Sequence, residues 1–288
     1  MPNTLFDEFF QAESRMFLLA TVRVALSEDG PDLTSNGIFE ENDVAQAQIV
    51  AKQDTIVCGL PLIPLIMEFG QLECQIHFNV DEGDRVSAGT LVAVLQGPAR
   101  HLLKAERVLL NYICHLSGIA ELTSKYVKAL EGSKTTLLDT RKTTPGLRYA
   151  EKYAVLRGGG KNHRKNLVEM LMIKDNHADR AGGITPAVAK LREAYDPCPP
   201  IEAECRTPAE VDEAVACGVD RIMLDNMDYE TAKAALARIP DTIETELSGN
   251  VDLETIGRLG QLGADFISVG RITHSAPCSD FSMRFLPL

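Results

Sequence analysis

The chain has 288 residues, 45% of them hydrophobic and 24% charged, and a formal net charge of −12. That length suits two domains or one large barrel with an appendage, and the acidity argues against a general nucleic-acid binder. The opening MPNTLFDEFFQAESRMF places acids among apolar residues, with neither a basic start nor a bilayer-length run. A soluble cytoplasmic protein with no membrane partner is therefore expected. Seven cysteines without CxxC spacing read as reduced thiols rather than a disulfide framework or a zinc site.

To about residue 115 the chain mixes helix-like and strand-like stretches. IVAKQDTIVCGLPLIPLIMEF reads as a strand, a Gly-Leu-Pro turn and a short helix. VDEGDRVSAGTLVAVLQG reads as a hairpin similar in shape to biotin- or lipoate-carrying modules. A carrier needs a lysine at the hairpin tip, and this stretch has none. ERVLLN lies on a predicted helix.

After residue 132 apolar runs of strand length recur: KTTLLDTRK, EMLMIKDN, PIEAEC, DRIMLDN, TIETELSGN and DFISVGR. Thr207-Pro208-Ala209-Glu210 is a capping box with proline at the first helical position, and Gly218 supplies the stop. DYETAKAALARI and DLETIGRLGQLG fill the next two gaps as helices. Lys174, Glu204, Asp225, Ser248 and Gly270 follow one another at 30, 21, 23 and 22 residues. That is the rhythm of strand-helix units closing into a parallel barrel. Six strands are clear, and a seventh is expected at Tyr153–Leu156, so the barrel is expected to be incomplete. Catalysis on such barrels occurs at the carboxyl ends of the strands, where these charged residues stand.

Charge is unevenly spread. Arg141 to Arg180 holds ten Lys or Arg against four Asp or Glu, a local +6 in an acidic chain. TTPG and GGG interrupt the block, so it is no single solvated helix face, and a small anionic ligand is expected. LSGN and SVGRIT end the last two strands with glycines that bare backbone N–H groups, suggesting a phosphate monoester site. Glu202 and Glu204 alternate with Ile201, Ala203 and Cys205, so both point to one face. Glu204 with Asp225 suits a magnesium-bound, hydroxyl-rich sugar phosphate. Glu202 reads equally well as an ion-pair partner of nearby lysines. Arg141, Lys142, His163, Arg164 and Lys174 supply positive charge, arginine suiting planar carboxylates and lysine suiting phosphate. His101, His115, His177 and His274 read as structural. The GGG of Gly158–Gly160 is expected to bring bare backbone close to a ligand while fixing His163 and Arg164.

These stretches together carry a resemblance. LLDTRKTTPGLRYAEKYAVLRGGGKNHR, ALSEDGPDLTS, ERVLLNYICHLSGIAE, EAEC, MLDN, ELSGN and ISVGRITHSAP resemble, in order and over nearly the whole chain, the quinolinate phosphoribosyltransferase family. The resemblance implies an α/β fold: an amino-terminal α/β sandwich over 1–115, completed by the tail 276–288, and an open α/β barrel over 116–275. It implies transfer of phosphoribosyl from phosphoribosyl pyrophosphate to quinolinate with decarboxylation, giving nicotinate mononucleotide, pyrophosphate and carbon dioxide, with magnesium required. By match to the family motifs, Arg141, His163 and Arg164 would bind the two quinolinate carboxylates. Lys142 and Lys174 would approach carboxylates and phosphates. Glu204 and Asp225 would hold ribose hydroxyls and magnesium, and Ser248, Gly249 and Gly270 would receive the 5′-phosphate. Arg107 would enter the neighbouring subunit's site, making a homodimer with shared active sites the working unit. Whether dimers assemble further into hexamers stays open. Two rivals stand beside this reading: a molybdenum-transport-associated paralogue of the same fold, and a phosphate-ligand sensor without catalysis.

Overall fold

The computed structural model describes residues 4–286; residues 1–3 and 287–288, at the two ends of the expected amino-terminal domain and its tail, lie outside the described residues. The chain opens with α1 (Thr4–Phe9), α2 (Ala12–Glu28), α3 (Leu33–Ile38), β1 (Val44–Ala51), β2 (Thr55–Ile56) and α4 (Leu62–Phe69). β3 (Gln75–Phe78), β4 (Arg85–Val86), β5 (Leu91–Pro98) and the 31-residue α5 (Ala99–Ala129) follow. Next come β6 (Thr136–Leu138), α6 (Arg148–Arg157), β7 (Leu171–Ile173), α7 (Asp175–Ala181) and α8 (Ile184–Ala194). The last stretch alternates β8 (Ile201–Cys205), α9 (Pro208–Cys217), β9 (Arg221–Asp225), α10 (Tyr229–Leu236), β10 (Glu244–Ser248), α11 (Ile256–Gly260), β11 (Phe266–Ser268), α12 (Arg271–His274) and β12 (Phe281–Phe285). None of the described helices is long and apolar enough to cross a membrane.

Two compact units divide these elements. The first comprises residues 1–124, 143–159 and 273–288; the second comprises 125–142 and 160–272. The chain passes between them inside α5, which runs unbroken through the expected junction at 115–116.

The first unit is built on an antiparallel sheet of order β12-β1-β5-β3. Alternate residues of β1 face its core, with Ala47, Ile49 and Ala51 fully buried. The tail contributes β12 through the register Ile49↔Met283. The expected hairpin is not formed. β4 pairs with β2, while β5 pairs with β1 and β3, so the two halves of VDEGDRVSAGTLVAVLQG join different sheets. The turn chemistry was read correctly: Gly89 has φ +89° and Thr90 N–H donates to the Ser87 carbonyl. What the alternation could not reveal is that residues 52–56 compete for β4.

In the second unit six parallel strands run in the order β6-β11-β10-β9-β8-β7. No pairing joins β7 to β6 among the described residues, and Leu138 of β6 forms a parallel bridge to Lys161. Burial on both faces explains the apolar runs: in β8, Ile201, Ala203 and Cys205 are buried on one side and Glu202 on the other. The expected capping box is present at α9, where Thr207 Oγ1 accepts from Glu210 N–H at 3.2 Å and Glu210 Oε2 accepts from Thr207 N–H at 3.2 Å. Gly218 ends that helix at φ +59°.

The seventh strand expected at Tyr153–Leu156 is instead part of α6. YAVL offers four residues of strand-like chemistry, but it lies within α6, where every residue from Ala150 to Val155 is buried. Its end explains the first glycine of GGG. A Cβ on Gly158 would stand 2.5 Å from the Ala120 carbonyl oxygen and 2.5 Å from Thr123 Cβ on α5. Gly159 turns the chain at φ +87°. The expected approach of these glycines to a ligand is thus corrected: Gly158 exists for helix packing and Gly159 for the turn.

Because Gly158 itself has an ordinary φ of −78°, Gly158→Ala tests packing without backbone strain. Overpacking of this kind costs about 1–3 kcal/mol, and the thermal midpoint is expected to fall by roughly 3–10 °C. An unchanged midpoint in circular dichroism melting would show that α5 and α6 yield at no cost.

Candidate active site

The carboxyl ends of the parallel strands converge on a cavity of about 370 Å³ in the second unit. It is lined by Thr140, Arg141 and Lys142 after β6, by His163 and Arg164, and by Lys174 after β7. Glu204, Asp225 and Ser248 come from the ends of β8, β9 and β10, and parallel registry sets Asp225 beside Ser248. A larger concavity, about 710 Å³, lies in the first unit against Leu60, Pro64, Leu65 and Phe78. Its charged lining is acidic, Asp7, Asp81 and Glu82 against Arg15, and Glu82 already accepts from the Gly59 and Leu60 N–H groups. The smaller cavity is cationic instead, with four Lys or Arg against two carboxylates in a chain of net −12.

One buried carboxylate positions the cationic wall. Asp139, fully buried, accepts from His163 N–H at 2.8 Å and from Asn162 Nδ2 at 2.7 Å. The same stretch is stitched by Lys161 N–H to the Leu137 carbonyl and by Asp139 N–H to the Lys161 carbonyl. NHR is thereby laid along the end of β6, next to Arg141 and Lys142. Arg164 donates to the Met170 carbonyl at 2.9 Å. Its guanidinium is held below the usual arginine range, first by burial and then by the positive charge of Arg141. Two guanidinium groups are therefore kept close enough to repel each other, an arrangement that an anion relieves.

His163 faces away from this role in part. Its Nδ1 accepts from Arg164 N–H at 2.7 Å, which leaves the ring proton on Nε2. Nε2 stands 3.0 Å from Glu202 Oε2 and 3.6 Å from Glu246 Oε2. Glu202 thus has histidine rather than lysine as its near partner. Glu202 and Glu246 are both fully buried, and Arg221 Nη1 lies 3.3 Å from Glu246 Oε2. Burial pushes each carboxyl up to about 7, and for Glu246 the charge of Glu202 adds to the rise. Two adjacent carboxylates cannot both ionise cheaply here, so the pair keeps its protons well above the ordinary carboxylate range, up to about 7. One His163 nitrogen and one oxygen of each carboxylate lie within 4.8 Å of one another, a spacing that suits a cation as well as a proton. Arg221 already supplies a positive charge to that floor.

Glu204 sits above Glu202 on the same strand face. Its pKa is raised by burial and lowered by Lys174, whose Nζ is 3.7 Å away, while Asp225 raises it again. Asp225 Oδ2 accepts from Asn226 Nδ2 at 2.8 Å. Two carboxylates that disfavour each other's charge, both oxygen donors, fit a hard divalent cation.

The sequence-derived residues therefore separate. Arg141, Lys142, His163, Arg164, Lys174, Glu204, Asp225, Ser248 and Gly249 all line the cavity. Gly270, at the start of α12, does not, and Arg107 lies on an exposed side of α5 in the first unit. Asn250 and Ser268, from the LSGN and SVGRIT stretches read as a phosphate site, line the cavity too, whereas Thr140 and Asn226 line it and were missed, as were the supporting Asp139 and Glu246. Glu246 was legible in principle, because TIETELSGN places it two residues before Ser248, on the same strand face. His101, His115 and His177 are engaged locally, accepting from Glu73 N–H, pairing with Glu151 and accepting from Lys174 N–H.

Residues 32–117 match the amino-terminal domain model of quinolinate phosphoribosyl transferase, and residues 119–284 match its carboxyl-terminal domain model. The chain is 42% identical over 252 residues to the probable nicotinate-nucleotide pyrophosphorylase [carboxylating] of Bacillus subtilis, covering 88% of this chain and 87% of that protein. It is 40% identical to the chloroplastic nicotinate-nucleotide pyrophosphorylase [carboxylating] of Arabidopsis thaliana, over 93% of this chain and 82% of that protein. The crystal structure of the nicotinate-nucleotide pyrophosphorylase from Francisella tularensis superposes with a TM-score of 0.89 at 36% identity, covering 96% of this chain and 99% of that one.

The raised carboxyls make a testable demand on stability. A carboxyl with a raised pKa binds its proton more tightly in the folded state. Wild-type stability should therefore fall as pH rises from the ordinary 4.5 through about 7. Glu246→Gln removes one such group, so its melting temperature relative to wild type should increase between pH 5 and pH 7.5. The same difference at both pH values would place the ionisation elsewhere.

Proposed function

The chain belongs to the quinolinate phosphoribosyltransferase family, and from that premise we propose how its own residues divide the work of the reaction. The activity is transfer of phosphoribosyl to quinolinate with loss of carbon dioxide, forming nicotinate mononucleotide and pyrophosphate for NAD biosynthesis. The observation that carries the assignment of roles is the pair Arg141 and Arg164, two mutually repelling guanidinium groups at one wall of an otherwise acidic protein.

In this reading those two arginines grip the vicinal carboxylates of quinolinate by charge-assisted bonds. His163 carries its proton on Nε2 toward the glutamate floor and acts chiefly by presenting Arg164. Lys142 and Lys174, exposed at the mouth, meet the pyrophosphate as mobile point charges. Glu204 and Asp225 face the ribose, and Ser248 with Gly249 receives the 5′-phosphate. When magnesium is bound by Glu204 and Asp225, it neutralises charge on the departing pyrophosphate. The same carboxylates favour positive charge developing at ribose C1 as the bond to pyrophosphate breaks. The pyridine nitrogen needs orientation more than activation. Once quaternary, that ring accepts the electron pair released from the departing 2-carboxylate. A proton must then reach C2 in place of the lost carboxylate, and solvent at the open mouth of the cavity can supply it, so no side-chain nucleophile is demanded of a site made of fixed charges.

A cytoplasmic location goes with this reading, supported by seven free cysteines. The shared-site homodimer does too. Arg107 is exposed on α5 and outside the cavity of its own chain, as a residue donated to a partner would be.

Incubation with quinolinate, phosphoribosyl pyrophosphate and magnesium should yield nicotinate mononucleotide. Nicotinic acid, lacking the 2-carboxylate, should react about 10- to 100-fold less efficiently, the loss of one charge-assisted contact. Comparable turnover of the two acids would favour a paralogue with another substrate, and binding without turnover would favour a sensor.

Sharing is tested by mixing. Arg107→Ala and Lys142→Ala should each be nearly inactive. After subunit exchange each heterodimer regains one intact site, so activity should return to roughly one quarter of wild type. If mass measurement confirms exchange and no activity returns, Arg107 does not act across the interface.

A further inference from the structure

Asn226 directly follows Asp225 and is one of four described non-glycine residues with positive φ, at +53°. That conformation costs energy for any side chain, although asparagine tolerates it best. Three hydrogen bonds hold it. Its N–H donates to the Ser248 carbonyl at 2.9 Å, prolonging the contact between β9 and β10 beyond the strand end. Its Nδ2 donates to Asp225 Oδ2 at 2.8 Å, and its Oδ1 accepts from Asn250 Nδ2 at 3.2 Å. The carboxylate on one side and the amide on the other admit only one orientation of the Asn226 amide. Asn250 is itself left-handed, at φ +49°, and both asparagines line the cavity.

Gly249 completes the arrangement. A Cβ there would stand 2.2 Å from Asn226 Oδ1 and 2.6 Å from its Cγ. The glycine of the SGN turn is therefore bare because Asn226 fills the space beside it, and its φ of +101° reinforces the choice. One side chain thus ties the carboxylate at the end of β9 to the turn at the end of β10.

We propose that Asn226 is a positioning residue for the phosphoribosyl half of the site, setting the separation between Asp225 and the Ser248–Gly249–Asn250 turn so that one sugar phosphate spans both. The inference rests on the assignment of Asp225 to the ribose and of the Ser248 turn to the 5′-phosphate. The dicarboxylate end of the site, on Arg141 and Arg164, shares none of these bonds. Asn226 therefore acts on one substrate and not on the other.

Asn226→Gly keeps the left-handed backbone at no steric cost and removes only the side chain. Asn250→Gly, at a position with φ +49°, likewise keeps its backbone, removes the donor to Asn226 Oδ1 and serves as a second variant should the first fold poorly. Binding is read without turnover by titrating phosphoribosyl pyrophosphate calorimetrically into protein saturated with magnesium and phthalate, which has the two vicinal carboxylates but no ring nitrogen. Quinolinate alone is titrated separately. Loss of the bond to a charged group predicts a Kd for phosphoribosyl pyrophosphate about tenfold or more higher in Asn226→Gly, with a smaller rise in Asn250→Gly. Quinolinate affinity should stay within about twofold, and KM should rise for phosphoribosyl pyrophosphate alone. Equal weakening of both substrates, or no change in either, overturns the inference. Wild-type protein that binds quinolinate but not phosphoribosyl pyrophosphate overturns the underlying assignment and the inference with it.

Discussion

The cationic wall of the cavity hangs on the buried carboxylate of Asp139. A carboxylate taken out of water is tolerated only when its oxygens are satisfied, and here the partners are a backbone N–H and an amide of the segment it must hold. The desolvation cost of one acid is offset by fixing three residues in sequence. Arg141 lies two residues beyond Asp139 and Arg164 one beyond His163, so pinning NHR to the end of β6 brings two guanidinium groups together from segments far apart in sequence. Neither arginine chooses this proximity for itself, because the like charge and burial hold Arg164 below its usual range. The fold stores that repulsion, and a dicarboxylate bound there as proposed would relieve it. Preorganisation of this kind reduces what binding must spend on ordering side chains.

Beneath the cationic mouth lies an acidic floor, and strand geometry explains the layering. Residues two apart on a strand share a face, so β8 offers Glu204 to the cavity and Glu202 to the layer below. β10 likewise offers Ser248 above and Glu246 below. The lower pair meets Arg221 and His163, and burial raises both of its carboxyls; the upper residues line the cavity. His163 is the hinge between layers. Its backbone belongs to the Asp139 anchor, its Nδ1 to Arg164 and its Nε2 to the floor.

Much of this was readable from residue order. The 21- to 23-residue rhythm, the capping box at Thr207 and the charged strand ends all follow from local chemistry, and local chemistry survived folding. Failures arose where a distant element decided. YAVL became helix because α6 packs on α5, and the hairpin dissolved because β2 claimed β4. Asp139 was invisible as a site residue because a buried acid reveals its partner only in three dimensions. Gly270 and Arg107, named by resemblance, lie outside the cavity of the single chain.

The glycines make the same point more sharply. Gly158 and Gly249 both invited the reading that bare backbone is left for a ligand. Gly158 is bare for the Ala120 carbonyl and Thr123, and Gly249 for Asn226. In each case the occupant of the space is protein. Yet the consequences differ, because Thr123 supports a helix contact, whereas Asn226 stands between two groups that face the cavity. A glycine near a site therefore identifies a function only through the neighbour that fills its place. At position 249 that neighbour holds a carboxylate with one end of its amide and the adjoining turn with the other, so the missing side chain serves Asn226 while the glycine backbone itself lines the cavity.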